Sequence, residues 1–288
     1  MPKRRAKAAS QSVVIVTGAA RGIGAATARL FAEHGATVWI GDVDQSENEA
    51  TAAEIRGARA ARLDVTNPVS WRNFVTTVLG ESGRVDILVN NAGVMPLGSF
   101  LEETQEVTEL ILDVNIRGVL NGMRAVAPEM VARGSGRIIN VASMAAMIPI
   151  PGMVTYNASK FAVLGASLAA RRELAPARVT VSAILPAAVR TELTSGAPLG
   201  NGLPTVNPGD VAAAILKTAR TGAARVSVPK WVAPGWSMVD ALIPERVELL
   251  FRRWLSDDRA LTSIDTVSRR AYTDRIARQA TTHAGDPQ

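Results

Sequence analysis

Cysteine is missing from the 288-residue chain, which excludes disulfides, thiolate nucleophiles and thiolate-bound zinc and suits a reducing, cytoplasmic setting. Histidine is almost missing too. With only His34 and His283 available, neither a histidine-ligated metal centre nor a Ser-His-Asp triad is expected; His34 falls in a helical pattern and His283 in what reads as a tail. Aromatic residues make up 4% of the chain, and two of them are tyrosines, Tyr156 and Tyr272. A phenol kept in so poor a background invites a chemical explanation.

Charge is unremarkable once its source is located. The formal net charge is +6, and Lys3, Arg4, Arg5 and Lys7 supply four of the six before the first apolar run; from Glu245 onward eight arginines meet seven acids. This describes a flexible basic arm over residues 1–10 and no basic stripe of a nucleic-acid binder. "KRRAK" before "VVIVTGAA" imitates a signal peptide, but cleavage there would part a strand from its glycine motif. Residues 138 to 159 carry no charge and are long enough to span a bilayer, yet Pro149, Pro151 and Gly152 break them. They read as strand, loop and helix start, so no membrane span is expected, and the Asn157-Ala158-Ser159 sequon falls in a buried stretch.

What is present is an alternation. "SVVIVT", "ATVWIGD", "ARAARLDV", "VDILVNN", "GRIINVAS", "RVTVSAILP" and "ARVSVP" are short β-branched runs, continuous enough to be buried on both faces. Between them the helical spacing predicts helices at Gly22 to His34, Gln45 to Arg56, Pro68 to Leu79, Thr104 to Arg133 and Val154 to Ala175, with another opening at Asn207 or Pro208. Strands alternating with helices mean βαβ units and a parallel sheet covered on both sides. Residues 194–207 are rich in Gly and Pro and read as a mobile loop. After Pro244, Val247, Leu250, Phe251 and Trp254 at helical spacing, with Asp265–Arg269, Arg270–Asp274 and Asp274–Arg278 spaced as i,i+4 pairs, predict two further helices. Packing on their own subunit, across a subunit interface or over a substrate mouth all remain open for them.

"TGAARGIG", residues 17–24, follows the first strand and opens the first helix. Gly18 permits the tight turn, Gly22 lets the backbone approach a pyrophosphate, and Gly24 allows close helix–strand packing, with free N–H groups of the helix start facing the anion. Asp42 arrives eighteen residues later at the end of the second strand, where its carboxylate can take both ribose hydroxyls of a dinucleotide. The fold class that results is α/β: one Rossmann domain over residues 11–243, a doubly wound seven-stranded parallel sheet with helices on both faces, then a helical extension over 244–288. Asp42 favours NAD. Against the 2′-phosphate of NADP, about 4 Å away at an effective dielectric near 20, it would repel by roughly 4 kcal/mol. Arg21, an exposed cation on the glycine loop, is the opposing signal.

In "TYNASK", residues 155–160, Tyr156 and Lys160 stand four apart on one helical face, which lets an ammonium sit beside a phenol. With "TGAARGIG", "NNAG" at 90–93, "VNIRG" around Asn115, "VAS" ending at Ser143 and "YNASK" all in order, the sequence resembles the short-chain dehydrogenase/reductase family over residues 10 to 235. The resemblance implies a catalytic tetrad of Asn115, Ser143, Tyr156 and Lys160. Chemistry asks for the same groups: hydride transfer needs an acid and base for the alcohol oxygen, and Lys160 and an oxidised nicotinamide should lower a phenol whose ordinary pKa is about 10. Ser143 would hold the reacting oxygen.

The resemblance further implies that Ile23 contacts the cofactor, that Asp64 and Val65 flank its adenine, that Asn91, Ala92 and Gly93 line the adenosine side, and that Pro186, Val189 and Thr191 meet the nicotinamide. Ala187 stands where the family usually has glycine. Met95, Met144, Met147, Met153 and Leu193, together with Pro149 and Ile150, would form an uncharged substrate site for a lipophilic alcohol or ketone. Trp231, Trp236 and Met238 read as core, with covering of the site as the alternative. Family likeness implies a homodimer or homotetramer. A dinucleotide-binding sensor without turnover is the rival reading, because fold alone does not establish function.

Overall fold

Runs of β-branched residues too short for a helix and too apolar for a surface build the middle of the molecule. A computed structural model describes residues 12–197, 204–242, 261 and 263–285. Strand β1 (Val13–Thr17) is buried throughout. Val13 and Ile15 join one core cluster and Val14 and Val16 the other, as expected when alternate side chains point to opposite faces of a sheet covered on both sides.

The chain continues through α1 (Gly22–Glu33), β2 (Thr37–Asp42), α2 (Gln45–Glu54), β3 (Arg59–Arg62), α3 (Pro68–Ser82) and β4 (Ile87–Asn90). Then come α4 (Gln105–Leu112), a π-helical turn (Asp113–Arg117), α5 (Gly118–Arg133), β5 (Gly136–Val141), α6 (Val154–Leu174) and β6 (Val179–Pro186). Short strands β7 (Ala188–Val189) and β8 (Thr205–Val206) precede α7 (Pro208–Thr221), β9 (Arg225–Val228), α8 (Val232–Leu242) and α9 (Thr266–Gly285).

Seven strands pair in the order β3-β2-β1-β4-β5-β6-β9, every pair parallel. The order reverses between β1 and β4, and the crevice at such a switch point, beyond the carboxyl ends of the strands, is where open α/β sheets bind ligands. The loops after β1 and β4 carry the glycine motif and "NNAG". Asn91 locks them together, its amide donating to the carbonyls of Thr17 (2.9 Å) and Gly18 (3.0 Å).

Local departures have physical causes. The outermost strands β3 and β9 carry arginines and are partly exposed, because an edge strand has a neighbour on one side only. The expected helix from Thr104 to Arg133 starts at its Thr104 cap but widens into a π turn at Asp113–Arg117. Asn207 caps α7 reciprocally with Asp210, and Pro208 takes the first helical position. The 194–207 stretch is not loop throughout: Thr205–Val206 pairs with Ala188–Val189. The basic arm and the segment holding Val247, Leu250, Phe251 and Trp254 lie outside the described residues. No described helix is long and apolar enough to cross a membrane.

Helix α9 lies against α4, one of the packings left open for the extension, but His283 is no tail residue: its Nε2 sits 2.6 Å from Asp113 Oδ2 in the π turn. Asp265 and Arg269 do not pair with each other. Asp265 caps the helix start through Val267 and Ser268, while the buried Arg269 guanidinium donates to the carbonyls of Leu193, Ser195 and Met95.

Candidate active site

Gly18 and Gly24 make the glycine loop possible. Gly18 has φ +61° and its missing Cβ would stand 2.6 Å from Ala92 Cα; a Cβ on Gly24 would stand 2.3 Å from the Gly18 carbonyl oxygen. The first turn of α1 has no side-chain cap at Arg21, so its N–H groups stay open to an anion. Asp42 sits at the far edge of this loop, accepting from the N–H of Ala20 (3.0 Å) and Asp44 (3.1 Å). Burial raises its pKa, against those two hydrogen bonds and the nearby Arg21 charge. The fit to a dinucleotide is therefore good: a tight loop that admits no side chain at Gly18 or Gly24, open N–H groups, and a half-buried carboxylate with lone pairs to spare.

Arg21 is not the free cation the sequence suggests. Its guanidinium meets Asp44 at 3.0 Å, Glu47 at 3.5 Å and Glu192 at 3.6 Å. Asp64, Val65, Ala92, Gly93, Ile23, Pro186, Val189 and Thr191 all line the same cavity. Asp64 accepts from the main-chain N–H and hydroxyl of Thr66, and the Val189 carbonyl is taken by the Thr194 hydroxyl. Ala187 is accommodated without a special turn, packed in the core with its N–H on Val228 O at 2.8 Å.

Three elements carry the four residues of the expected tetrad; Ser143, Tyr156 and Lys160 line the cavity and Asn115 lies behind its wall beside Val94. Ser143 ends the β5 segment and its Oγ accepts from Ala145 N–H at 3.1 Å. Tyr156 lies in the first turn of α6, buried, with Lys160 one turn on and its Nζ 5.4 Å from the phenol ring centroid. Asn115 occupies the π turn, a device common at functional sites. Its Oδ1 accepts from Val94 N–H (2.9 Å), and its amide donates to Val94 O (3.0 Å) and Ser159 Oγ (3.0 Å).

Electrostatics here differ from the sequence expectation. Burial pushes the Tyr156 phenol up to about 12, with the Ser143 hydrogen bond opposing and Tyr272, once ionised, adding to the rise. Burial brings Lys160 down to about 8. In the protein alone desolvation governs the phenol, and the expected lowering requires a further positive charge.

The cavity is large, about 1070 Å³. Met95, Met144, Met153, Ile150 and Leu193 line it; Met147 and Pro149 do not, and the Met147 carbonyl instead accepts from Trp236 Nε1 at 3.1 Å. Trp231 and Met238 are exposed at its rim, contrary to a core role, and Trp236 lines it half-buried. Sequence reasoning missed the far wall. Tyr272, Arg275, Ile276, Gln279 and His283 of α9 face the cavity, and Arg275 reaches Glu192 at 2.9 Å. The spacing 272, 275–276, 279, 283 was a helical stripe in plain view, but nothing in it says what it covers.

A family model described as short chain dehydrogenase matches residues 12–200. The 2,5-dichloro-2,5-cyclohexadiene-1,4-diol dehydrogenase LinX of Sphingobium indicum is 38% identical over 190 residues, 65% of this chain and 76% of that protein. A 3-alpha-(or 20-beta)-hydroxysteroid dehydrogenase of Mycobacterium tuberculosis is 38% identical over 187 residues, 65% of this chain and 72% of that one. Among solved structures, a 3-ketoacyl-(acyl-carrier-protein) reductase from Brucella melitensis complexed with NADH is similar with TM-score 0.69 and 32% identity, over 76% of this chain and 97% of that one.

Proposed function

The chain belongs to the short-chain dehydrogenase family, and from that premise we propose that it is an NAD-dependent oxidoreductase interconverting a lipophilic secondary alcohol and its ketone. The observation that carries this reading is the convergence of Ser143, Tyr156 and Lys160 on one cavity that also holds the glycine loop and Asp42. Residues 11–243 form the catalytic domain in this reading and 244–288 the extension.

NAD, when bound, supplies the hydride acceptor and a positively charged ring. Ser143 and Tyr156 donate to the substrate carbonyl oxygen, one for each lone pair, where negative charge gathers. A phenol at about 12 is protonated at neutral pH and so has a proton to give that oxygen. For alcohol oxidation its ionised form, the phenolate, takes the hydroxyl proton and returns to the phenol; the Lys160 ammonium, which at about 8 stays mostly charged at pH 7, favours that anion. The amide of Asn115 is spent on Val94 and Ser159, which leaves the main chain of the widened turn to hold the water of a proton relay.

Coenzyme choice rests on charge. Arg21 is engaged by Asp44, Glu47 and Glu192, and together with Asp42 these acids oppose a 2′-phosphate. Lipophilic substrates are supported by the uncharged wall of Met95, Met144, Met153 and Leu193, and by two relatives named for alcohols on rings. Exposed Val131 on α5 and Phe161 on α6 support a homodimer or homotetramer built on those helices.

The test is a panel of hydrophobic alcohols and ketones with NAD and NADP, followed by nicotinamide absorbance, on the native protein and Tyr156→Phe. Turnover should fall at least roughly a hundredfold while NAD binding persists; unchanged turnover would overturn the assignment.

A further inference from the structure

The second tyrosine of the chain also ends in the catalytic cavity, brought there by α9 from more than a hundred residues downstream of the first. Tyr272 is 2% exposed, and its ring packs with Val94, Leu110, Ile111 and Ile276. Two guanidiniums flank it, Arg269 at 4.8 Å and Arg275 at 5.3 Å from the ring centroid. Neither is there for the phenol alone: Arg269 holds three carbonyls and Arg275 holds Glu192. Together they fix the ring.

The hydroxyl has a defined polarity. Its oxygen accepts the Met95 N–H at 2.7 Å. A phenol has one proton to donate as well, and no described residue accepts it. The neighbouring cavity surface from Met95, Leu110, Leu193 and Ile276 is apolar. A buried donor left unmet costs about 1–3 kcal/mol, so the proton calls for an oxygen that arrives with a ligand.

Which oxygen follows from counting lone pairs. If Ser143 and Tyr156 donate to the reacting carbonyl, as the proposed function has it and as this inference assumes, both of its lone pairs are occupied. Tyr272 packs in a different cluster from Tyr156, which sits with Met95 and Ala145, and no hydrogen bond joins the two phenols. We propose that Tyr272 is a specificity-determining residue whose O–H binds a second oxygen on the substrate, distinct from the reacting one, so that the enzyme selects lipophilic molecules bearing two oxygens. The α9 extension would thereby supply part of the substrate site.

The experiment compares matched ligands: cyclohexanone with cyclohexanedione, decalone with decalindione, and an androstanone with an androstanedione, on native protein and Tyr272→Phe. Binding in the presence of NADH is measured by its fluorescence and by calorimetry, and turnover is followed on the same samples. In at least one pair the dione should bind native protein roughly tenfold more tightly, with that preference gone in the variant and NADH affinity unchanged. A preference absent from every pair, or kept by Tyr272→Phe, overturns the proposal, as does equal loss of both ligands. Should the variant fail to fold, isotope-edited infrared spectroscopy of the preferred dione on native protein decides: two lowered carbonyl stretches support the proposal and a single one refutes it. A native protein with the preference but no turnover would sink the dehydrogenase reading and spare Tyr272; turnover without the preference does the reverse.

Discussion

Two tyrosines in the whole chain make phenol ionisation directly measurable, and both are held far from their ordinary behaviour. Burial pushes Tyr156 up to about 12 and Tyr272 up to about 12 as well, the latter despite the Met95 N–H and the charges of Arg269 and Arg275. From an ordinary pKa near 10 each displacement corresponds to roughly 3 kcal/mol disfavouring the phenolate. At pH 10 an ordinary tyrosine is about half ionised, and these two should be ionised to roughly 1% each. The assay is a rapid pH jump read by tyrosinate absorbance, with circular dichroism confirming that the fold survives the dead time. Coenzyme-free protein should show almost no tyrosinate until about pH 11, and Tyr272→Phe should leave a single step belonging to Tyr156. Saturation with NAD should then move that step to lower pH, because a positive ring beside the phenol favours its anion. A step near pH 10 in the free, folded protein would refute the claim that desolvation governs this site.

The same ionisations shape stability without coenzyme. A phenol raised in the fold stabilises it fully below about pH 10 and loses that contribution as pH climbs through about 12; Lys160, lowered to about 8, acts in the opposite sense, so stability should rise from about pH 8 to 10 and fall beyond. Thermal melts across that range check it, and a flat profile would contradict it. NAD should raise the melting temperature more than NADP does, because Asp42 awaits a ribose and Arg21 is already held by three carboxylates; equal shifts would show the opposite. Arg269→Met keeps much of the volume but leaves three carbonyls without their charged donor, and urea unfolding should register a loss of roughly 2–4 kcal/mol.

What the sequence discloses about this molecule is what is local. Strands β1, β4, β5 and β6 announce themselves because a strand buried on both faces is apolar at most positions on both, while β3 and β9, at the edges, carry arginines that blur the pattern. Tyr156 and Lys160 are found four apart because one helical turn does the positioning. The glycine loop is found because its close approaches admit nothing larger. The pKa of Tyr156 was not foreseeable in the same way. Spacing tells that a lysine is near, but only the packing of Met95, Ala145 and neighbouring side chains around the ring tells how much water has been removed.

The far wall of the cavity escapes sequence reasoning for a different reason. Tyr272 and Met95 are 177 positions apart, His283 and Asp113 are 170 apart, and Arg269 grips main-chain carbonyls, which every residue possesses and no motif advertises. Acid–arginine spacings in the extension suggested pairs within the helix, each worth only about 0.2–0.5 kcal/mol. Of the arginines in those spacings, Arg269 found buried carbonyls off the helix instead; Arg275, which no such spacing included, found the Glu192 that also faces Arg21 on the glycine loop. That chain of charges ties the last helix to the first glycine loop across the cavity, so a change at Glu192 would be felt at both walls.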